Sequence, residues 1–503
     1  MWVEAGDWGK KIEWASHTKL YKERSVRPIF EHILSLLHGE DTFKDFELKL
    51  EDSWREKLSK NVVKVLEAFD EELMKIRNKD RLKVQGIRKR TFVTVFGEIT
   101  YERRYYYDKK RDEYRYLVDE EINLPKYARV SNGIKMKALK MVRDLSYRKS
   151  AEKINDMTGG YISASSLHRW VQELGEKKEK ELKRKRKKAF VDGLMPEKRE
   201  DADKTDHLFI EADGVVIRLQ NDEEGSSFYE IKLGVTYTGW ETRFLNSQEY
   251  RVKNKKIFGG CADSEKFWQE VALNIRQRYI LGSDGMTVLN GDGAGWVGRA
   301  KTYLPSLNYR MLDSYHLQRK LLRGLGRSEF LPKVRKAIAE YDKEKTVKLL
   351  DKAKSYRRTQ KDKEKVKELK NYILEHWENI PDYREKDIST PEVARGMGVI
   401  ESNVDYILAD RLKKQGISWS KEGAKNISRV IIAYENDELE KLLLKEEQEI
   451  KEDGVSHKRA YRRLKRNQKP SEEQFFKMTS EPAEGAAYRF LKEICRNVGE
   501  SVL

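Results

Sequence analysis

Residues 207–220 read HLFIEADGVVIRLQ, and residues 228–241, FYEIKLGVTYTGWE, and 244–252, FLNSQEYRV, follow at short intervals. All three stretches are rich in β-branched and aromatic residues and are bounded by polar residues, so they predict three consecutive strands. The next segments predict a helix over SEKFWQEVALNIRQRYI, a buried strand at MTVLNGDG, a short helix, the strand YRMLD and a helix from Tyr315. The chain is therefore expected to build an α/β core.

The order three strands, helix, strand, helix, strand is that of a ribonuclease H-like core. From about residue 323 to residue 386 the sequence consists of charged helix formers without a strand signal, and helical periodicity returns afterwards. We therefore predict an α/β fold in which a ribonuclease H-like catalytic core is interrupted by an all-α insertion. A mainly helical N-terminal region with a β-hairpin and a helix-turn-helix precedes this core.

The predicted hairpin is the segment TFVTVFGEITYERRYYY, with its turn near residues 96–98. Arg103 and Arg104 are followed there by tyrosines 105–107. This cluster fits a paired strand with an aromatic face, and it also fits contact with a nucleic-acid backbone.

The predicted helix-turn-helix lies in residues 141–175, which contain LSYRKSAEKINDMTGGYISASSLHRWVQELG. The pattern predicts one helix, a break at Gly159-Gly160, a cap at Ser163 and a second helix. In such a motif the second helix would enter the major groove of DNA, although many helical hairpins share this spacing. The basic run KRKRKK at residues 183–188 is expected in a linker that follows, where it would contact phosphates.

A chain of 503 residues exceeds the size at which one hydrophobic core keeps growing, so several structural units are expected. Composition shifts separate six segments. They are an N-terminal helical region with a β-hairpin (1–120), a helix-turn-helix region with a basic linker (121–200), the first part of the catalytic core (201–322), the helical insertion (323–390), the second part of the core with the Glu401 helix (391–434) and a basic helical C-terminal region (435–503).

Charge and cysteine content restrict the classes of partner and metal. Lys and Arg number 103 against 85 Asp and Glu, a formal charge of +18, which favours nucleic acid as a partner. A Lys/Glu-rich surface of the thermophile type is the alternative explanation. Cys261 and Cys495 are the only cysteines, so a metal would be held by oxygen ligands or histidine. No stretch approaches the roughly 18 apolar residues of a membrane span and no signal peptide is evident, so we expect a cytoplasmic protein.

Three acidic residues occupy positions suited to a metal site. Asp213 follows the apolar part of its strand, and Asp292 lies at the end of TVLNGDG, just before Gly293. Two such strands adjacent in one sheet would bring the carboxylates together, and these repel each other unless a divalent cation lies between them. Glu401, on the helix after the insertion, is placed to supply a third ligand. Oxygen ligands favour Mg²⁺ or Mn²⁺ over zinc.

Each of these acids also fits a structural role, because Asp-Gly is a common turn pair and Glu is common at helix starts. Two other acids compete for the site. Glu211 lies two residues before Asp213 and so faces the same side of the strand, whereas Asp284 precedes its strand. The order of two strand-borne acids and one helix-borne acid favours the metal site.

Several motifs together carry a family resemblance. The segments ADGV around Asp213, NGDGAGW around Asp292, LDSYHLQRKL around Asp313 and His316, and GVIESNVDYILADRLKKQGISWS around Glu401 resemble the ISLre-type bacterial insertion-sequence transposases. These in turn look like relatives of the Mutator-type group. TVFGEITYERRYYYD and LSYRKSAEKIN extend the resemblance over most of the chain. The GVIESN stretch is specific, whereas ADG alone is not.

The resemblance implies a DDE-type transposase in which Asp213, Asp292 and Glu401 are catalytic and bind metal. It implies two Mg²⁺ ions, for which Mn²⁺ can substitute. Asp313 and His316 match an Asp-x-x-His feature that supports the site in related transposases, and a helix N-cap with a packed imidazole explains the pair equally well. The implied reaction is cleavage of double-stranded DNA at terminal inverted repeats and transfer of the freed 3′-hydroxyl to target DNA.

The expected setting is the bacterial cytoplasm at the nucleoid, with a homodimer or higher oligomer on DNA, because synapsis joins two DNA ends. The predicted DNA-binding residues lie on the second helix of the helix-turn-helix, in the basic run after it and in the basic tail: Ser166, His168, Arg169, Gln172, Lys183, Arg184, Arg186, Arg462, Arg463, Lys465 and Arg466.

Three alternatives remain at this point. Gly293, Gly295 and Gly298 form a G-x-G-x-x-G after a strand, which is typical of nicotinamide enzymes. Against it, Asp292 would stand beside the diphosphate, and the short connection after Gly298 contains Pro305. A non-catalytic DNA-binding protein derived from a transposase would keep the basic segments without cleavage. A hydrolytic nuclease would share the fold and the metals but make no strand-joining product.

Overall fold

The computed structural model describes residues 32–33, 35–36, 42–122, 124–220, 228–244, 247–386 and 390–448. They form a mixed α/β protein that divides into two compact units. The first unit comprises the described residues up to Ala138, Arg148–Ala164 and the described residues from Leu443; the second comprises the described residues of Leu139–Tyr147 and Ser165–Leu442. Within the described ranges, no helix is both long enough and apolar enough to cross a membrane. The predicted tail residues Arg462, Arg463, Lys465 and Arg466 lie outside these ranges.

The N-terminal half of the described chain starts with a long helix and a small sheet. Its elements are α1 Phe43–Ile76, β1 Leu82–Thr94, β2 Gly97–Asp108, β3 Glu113–Arg115, α2 Leu117–Glu121, α3 Asn132–Asp144, α4 Tyr147–Thr158 and α5 Ala164–Phe190. The strands β1, β2 and β3 are antiparallel in that order, and the β1–β2 turn precedes Gly97, which has φ +110°. This confirms the predicted hairpin.

Helix α1 packs on one face of this sheet. Phe69 and Leu73 of the helix share a hydrophobic core with Leu82 and Tyr106 of the strands. The helix begins after Thr42, whose hydroxyl accepts a hydrogen bond from the Asp45 amide at 3.1 Å. The first unit therefore has an apolar core of its own.

The basic run at residues 183–188 does not form a linker. It belongs to α5, which continues without interruption to Phe190. The reason is amphipathic periodicity: Leu182, Arg186 and Ala189 are buried along one face, and Lys185 pairs with Glu181 at 2.9 Å on another. The charge run alone concealed this inward-facing stripe.

The second unit is built on a five-stranded sheet. Its strands and the helices around them are β4 Asp203–Arg218, β5 Phe228–Tyr237, β6 Trp240–Thr242, β7 Tyr250–Val252, β8 Lys256–Cys261, α6 Ser264–Arg278, β9 Tyr279–Gly291, α7 Gly295–Gly298, α8 Ala300–Tyr303, β10 Tyr309–Leu312 and α9 Ser314–Leu325. The sheet order is β10-β9-β4-β5-β8. The pairs β4–β5 and β5–β8 are antiparallel, whereas β4–β9 and β9–β10 are parallel.

The third strand of the sheet differs from the prediction. We expected it at residues 244–252, but the strand that joins the sheet is β8, and β7 forms a separate two-stranded ribbon with β6. Burial explains the difference, since five of the six residues of KIFGGC are buried and YRV is largely exposed. The remaining predicted core elements occur in the expected order.

A helical segment and a returning helical region complete the second unit. They are α10 Phe330–Ala339, α11 Lys343–Ser355, α12 Gln360–Glu375, α13 Val399–Asn403, a π-helical stretch Val404–Ala409, α14 Asp410–Leu412, α15 Lys421–Glu435 and, running into the first unit, α16 Leu439–Gln448. Helices α9 to α12 share one hydrophobic core that includes Leu321, Val334, Leu350 and Ile373. The segment predicted as an insertion thus packs as a small helical subdomain.

Candidate metal centre

Two neighbouring strands deliver the first acidic residues to the same edge of the sheet. Ala212 of β4 stands in register with Gly291 of β9, and the two strands run parallel. Asp213 and Asp292 are the residues that follow Ala212 and Gly291, so they lie at neighbouring strand positions as predicted. Asp213 is 8% exposed, and it stands opposite Leu233 on the antiparallel side of its strand.

Three side chains that could bind a metal converge in the second unit: Asp213, His316 and Glu401. One ligand atom from each lies within 4.8 Å of the other two. The His316 Nδ1 atom is 3.2 Å from the Glu401 Oε1 atom. The sequence predicted Asp292 as the third member of this group. In the structure, His316 takes that position and Asp292 is not a member. Asp292 does lie near enough for its charge to raise the pKa of Asp213.

Asp313 orients His316. As the N-cap of α9, its Oδ1 atom accepts the His316 amide at 2.9 Å and lies 3.2 Å from the His316 Nδ1 atom. The other carboxylate oxygen accepts a hydrogen bond from the Asn290 amide at 2.9 Å. The Asp-x-x-His spacing therefore serves both interpretations given above, because the cap residue also fixes the imidazole beside the acids.

The electrostatics of the group reflect burial and crowding of negative charge. Burial is the main cause that raises the pKa of Asp213 to about 6, and Asp292 and Asp313 add to it against the opposing effect of His316. Burial also raises the pKa of Glu401. Burial lowers the pKa of His316, but its bond to Asp313 and the charges of Asp213 and Glu401 outweigh burial and leave it raised. The acids around His316 therefore favour its protonated form in the metal-free protein.

Glu211 links the strand of Asp213 to the helix of Glu401. This carboxylate is fully buried and accepts the backbone N–H groups of residues 398–400, each at 3.2 Å. It also accepts the Tyr237 hydroxyl at 2.7 Å and the Asn290 amide at 3.2 Å. Glu211 thus satisfies the free donors at the start of α13, and the π-helical stretch after α13 is a form often found at functional sites.

The loop after Asp292 contacts the helical subdomain. The Asp292 Oδ1 atom accepts the Ala294 amide at 2.9 Å, and the Tyr372 hydroxyl donates to the Asp292 carbonyl at 2.7 Å. Gly293 has φ +84°, and a Cβ atom there would lie 2.8 Å from the His376 Nε2 atom. The glycines serve this close packing; α7 and α8 that follow have four residues each and offer no long helix to a dinucleotide diphosphate.

Comparison with known proteins assigns the chain to a family. The model of the uncharacterised protein family UPF0236 matches residues 40–449. The chain belongs to UPF0236. This match includes every acid of the site and the whole of the second unit up to Leu442.

Two relatives illustrate the range of UPF0236. A protein of Caldanaerobacter subterraneus subsp. tengcongensis, which carries eleven locus names, is 29% identical over 377 residues, covering 74% of this chain and 74% of its own. A UPF0236 protein encoded in the vanSb 3′ region of Streptococcus gallolyticus is 26% identical over 415 residues, covering 81% and 86%. Among solved structures, the Drosophila P element transposase strand transfer complex matches 64% of this chain and 82% of that chain. The sequence identity is 11%, and the TM-score of 0.21 is too low to show a shared fold.

The predicted DNA-binding residues of this UPF0236 chain fall into different environments. His168, Arg169, Lys183 and Arg184 are exposed on α5, and Ser166 is half-buried. By contrast, Arg186 is buried and ion-paired with Glu179 and Glu270, so its side chain is not available to DNA and that prediction is wrong.

Gln172 is also partly committed to the interior. Its side-chain oxygen accepts the Asn426 amide at 2.8 Å, and the residue is half-buried. The helical wheel of α5 explains both cases, because Arg186 lies within its buried stripe and Gln172 borders it.

From the sequence, His316 was predicted to support the site, and Glu211 was considered only as an alternative to Asp213 as a metal ligand. The Asp-x-x-His spacing signalled the first, because a cap residue and the residue three positions later share one side of a helix start. The signal for Glu211 is weaker: it lies two residues before Asp213, which places both side chains on the same face of β4.

Proposed function

We propose that this UPF0236 protein is a DDE-type DNA transposase of an insertion sequence. It would bind terminal inverted repeats, cleave DNA with Mg²⁺ or Mn²⁺ and transfer the strand through a 3′-hydroxyl. The observation that carries the proposal is the convergence of Asp213, His316 and Glu401, with Asp292 at the end of the adjacent strand. Asp213, Asp292 and Glu401 would be the catalytic acids.

The side chains of this centre fit a divalent cation. The Glu401 Oε1 atom is buried without a hydrogen bond and lies 3.2 Å from the His316 Nδ1 atom, so these two ligand atoms would face one ion. Carboxylate oxygens are the ligands preferred by Mg²⁺ and Mn²⁺. Bound there, one or two such ions would supply Lewis acidity toward the phosphodiester. His316 would lose its proton on joining the ligands, so metal and proton compete for this centre.

The chain's own residues would position the reaction rather than react covalently. Glu211 holds α13 so that Glu401 faces Asp213, and Asp313 holds His316 beside both. Water would attack the phosphorus, and the bond to the 3′-oxygen would break to leave a 3′-hydroxyl. That hydroxyl would then attack a phosphodiester of the target DNA, forming a new 3′-oxygen–phosphorus bond while the bond from that phosphorus to the target's own 3′-oxygen breaks and leaves a 3′-hydroxyl on the target strand.

The architecture supports a ribonuclease H-like core. Three antiparallel strands, a helix, a parallel strand, short helices, a parallel strand and a helix occur in the expected order. The α10–α12 subdomain interrupts the chain between Asp313 and Glu401, as an all-α insertion would. Helices α4 and α5 occur where the helix-turn-helix was predicted, and the exposed His168 and Arg169 of α5 would contact DNA in such a motif.

Gene multiplicity in relatives agrees with a mobile element. The Caldanaerobacter relative carries eleven locus names, as expected of a gene present in many copies. Copy number of this kind is typical of insertion sequences and unusual for a metabolic enzyme. Synapsis of two element ends would require a homodimer or a higher oligomer on DNA.

Metal-dependent nicking tests the proposal. The substrate is a plasmid that carries the sequences flanking the gene, incubated with Mg²⁺, with Mn²⁺ or with EDTA. We expect nicking only with metal, and we expect Asp213→Ala, Asp292→Ala and Glu401→Ala to reduce it at least a hundredfold. The matched control Asp284→Ala removes an exposed carboxylate and should cut like the parent. Equal cutting by the parent and Asp213→Ala would refute the assignment.

The products separate the alternatives. A strand-joined product identifies a transposase, whereas nicks without joining identify a hydrolytic nuclease. Binding of the flanking DNA without nicking under any metal would identify a non-catalytic DNA-binding protein derived from a transposase.

A further inference from the structure

The three-stranded sheet of the first unit carries a row of tyrosines on one face. Residues directly opposite in an antiparallel pair place their side chains on the same face. Tyr107 of β2 stands opposite Lys83 of β1 and Tyr114 of β3. Tyr105 lies two residues before Tyr107 and therefore shares this face. We call Tyr105, Tyr107, Tyr114 and Tyr116 the tyrosine ladder.

The rings of the ladder touch in sequence across the strands. The ring centroids are 5.5 Å apart for Tyr107 and Tyr114, 5.9 Å for Tyr105 and Tyr114, and 6.1 Å for Tyr105 and Tyr116. Tyr114 is 58% exposed, and the other three rings are half-exposed. The ladder is thus a continuous aromatic surface that reaches solvent.

The core of this unit does not depend on the exposed part of the ladder. Helix α1 covers the opposite face, where Arg104 pairs with Asp70 at 2.8 Å and Tyr106 is buried against Leu73. On the ladder face, Arg103 is ion-paired with Asp119, and its guanidinium lies 3.6 Å from the Tyr116 ring centre. The two arginines that the sequence offered to nucleic acid are therefore engaged internally. The Tyr107 hydroxyl donates a hydrogen bond to Asp112, so the ladder offers a ligand its ring faces rather than this hydroxyl.

Positive charge surrounds the ladder. Of the ten Lys and Arg in residues 82–116, six are exposed, against four exposed Asp and Glu. The Arg88 guanidinium lies 5.3 Å from the Tyr105 ring centre and is exposed, and Lys83 is exposed opposite Tyr107. Residues 109–111, KKR, extend the exposed basic surface into the turn after β2. An aromatic surface bordered by cations matches flat rings attached to a phosphate backbone.

We propose that the tyrosine ladder binds unpaired nucleotides of DNA. Bases would stack on the exposed ring faces, and phosphates would lie over Lys83, Arg88 and the KKR turn. Duplex DNA hides its base faces inside the helix, so a duplex could use only the cations here. The choice of DNA rests on the proposed function. Cleavage and strand transfer expose single-stranded DNA ends, and these require a binding site outside the metal centre.

Oligo(dT) binding by the full-length protein tests this site. Fluorescence anisotropy in EDTA compares the parent with the Tyr107→Ala/Tyr114→Ala double variant and with Tyr114→Trp. Stacking contributes about tenfold in affinity for each base, so we expect the double variant to bind at least tenfold more weakly. Tyr114→Trp keeps an aromatic face and should retain parental affinity, with its indole fluorescence quenched by the probe.

The matched control is Tyr356→Ala, which removes a tyrosine of similar exposure, 65%, from the second unit and should leave binding unchanged. A photo-crosslinking oligo(dT) with iodouracil should attach to the peptide that contains residues 105–116. Parental affinity in the double variant, or a duplex of the same length that competes equally well, would overturn the proposal. Asp213→Ala should bind oligo(dT) like the parent. Failure of the nicking assay would therefore not affect the test of oligo(dT) binding.

Discussion

Asp213 lies where burial and neighbouring charges both disfavour its ionised form. Its pKa is raised to about 6, whereas an unfolded chain titrates it near 4. A group with a higher pKa in the folded state binds more protons when folded, so stability falls as the pH rises through this window. The metal-free protein therefore carries an unfavourable contribution that is absent below about pH 4 and complete above about pH 6.

Asp213→Asn should consequently stabilise the metal-free protein at pH 7. We expect a gain of up to about 3 kcal/mol at pH 7 and almost none at pH 4. Urea unfolding in EDTA at both pH values measures the difference. The exposed Asp284→Asn serves as the control and should show no such dependence. A gain of the same size at both pH values would contradict the burial explanation.

Strand periodicity was sufficient to predict Asp213 and Asp292 at neighbouring strand ends, because register and direction fix backbone positions. It was not sufficient to predict that His316 rather than Asp292 joins Asp213 and Glu401 in the ligand group. That difference depends on the loop after β9, which draws the Asp292 carboxylate to the Ala294 amide. Side-chain direction in a loop follows local hydrogen bonds, which hydrophobic periodicity does not encode.

Between elements, the decisive contact is the one from Glu211 on β4 to the start of α13. Three backbone N–H groups converge on its two oxygens, so the position of Glu401 depends on a carboxylate that does not itself join the ligand group. Glu211→Gln replaces one acceptor oxygen with a donor that faces other donors. We expect α13 to shift and the affinity for Mn²⁺ to fall about tenfold or more, measured by calorimetry.

The control for this variant is Glu270→Gln. Glu270 is also a buried carboxylate, and it accepts bonds from Arg429 at 2.6 and 2.8 Å in the same unit. Its loss should lower the unfolding temperature while the affinity for Mn²⁺ stays at the parental value. If both variants lowered the affinity for Mn²⁺ equally, Glu211 would have a general structural role and no positioning role. Circular dichroism verifies that each variant is folded.

The elements show where hydrophobic periodicity succeeds and where it fails. Strongly alternating or apolar strands such as β4 and β9 were predicted, as were the helices of the insertion. The strand β8 was missed because KIFGGC is short and contains two glycines, which have low strand propensity. The continuation of α5 through KRKRKK was missed because a dense charge run masks the few apolar residues that anchor it.

Over the whole molecule, the formal charge of +18 indicates a polyanionic partner but not the surface that meets it. The structure separates cations that are free to act at long range from those committed to ion pairs. Arg186, Arg429 and Arg143 are buried with carboxylate partners, whereas Lys183 and Arg184 lie exposed on α5. Only exposed cations such as Lys183 and Arg184 can contact phosphates and so release counterions from DNA.

Salt dependence distinguishes these two classes of cation. Each Lys or Arg that contacts a phosphate adds about one to the slope of log affinity against log salt concentration. We therefore expect Lys183→Gln/Arg184→Gln to lower the slope for duplex DNA by about two. Lys348→Gln/Lys352→Gln, which removes two exposed cations from α11, keeps the same net charge as the first variant and should retain the parental slope. Equal slopes in both variants would mean that total charge, rather than the α5 surface, determines DNA binding.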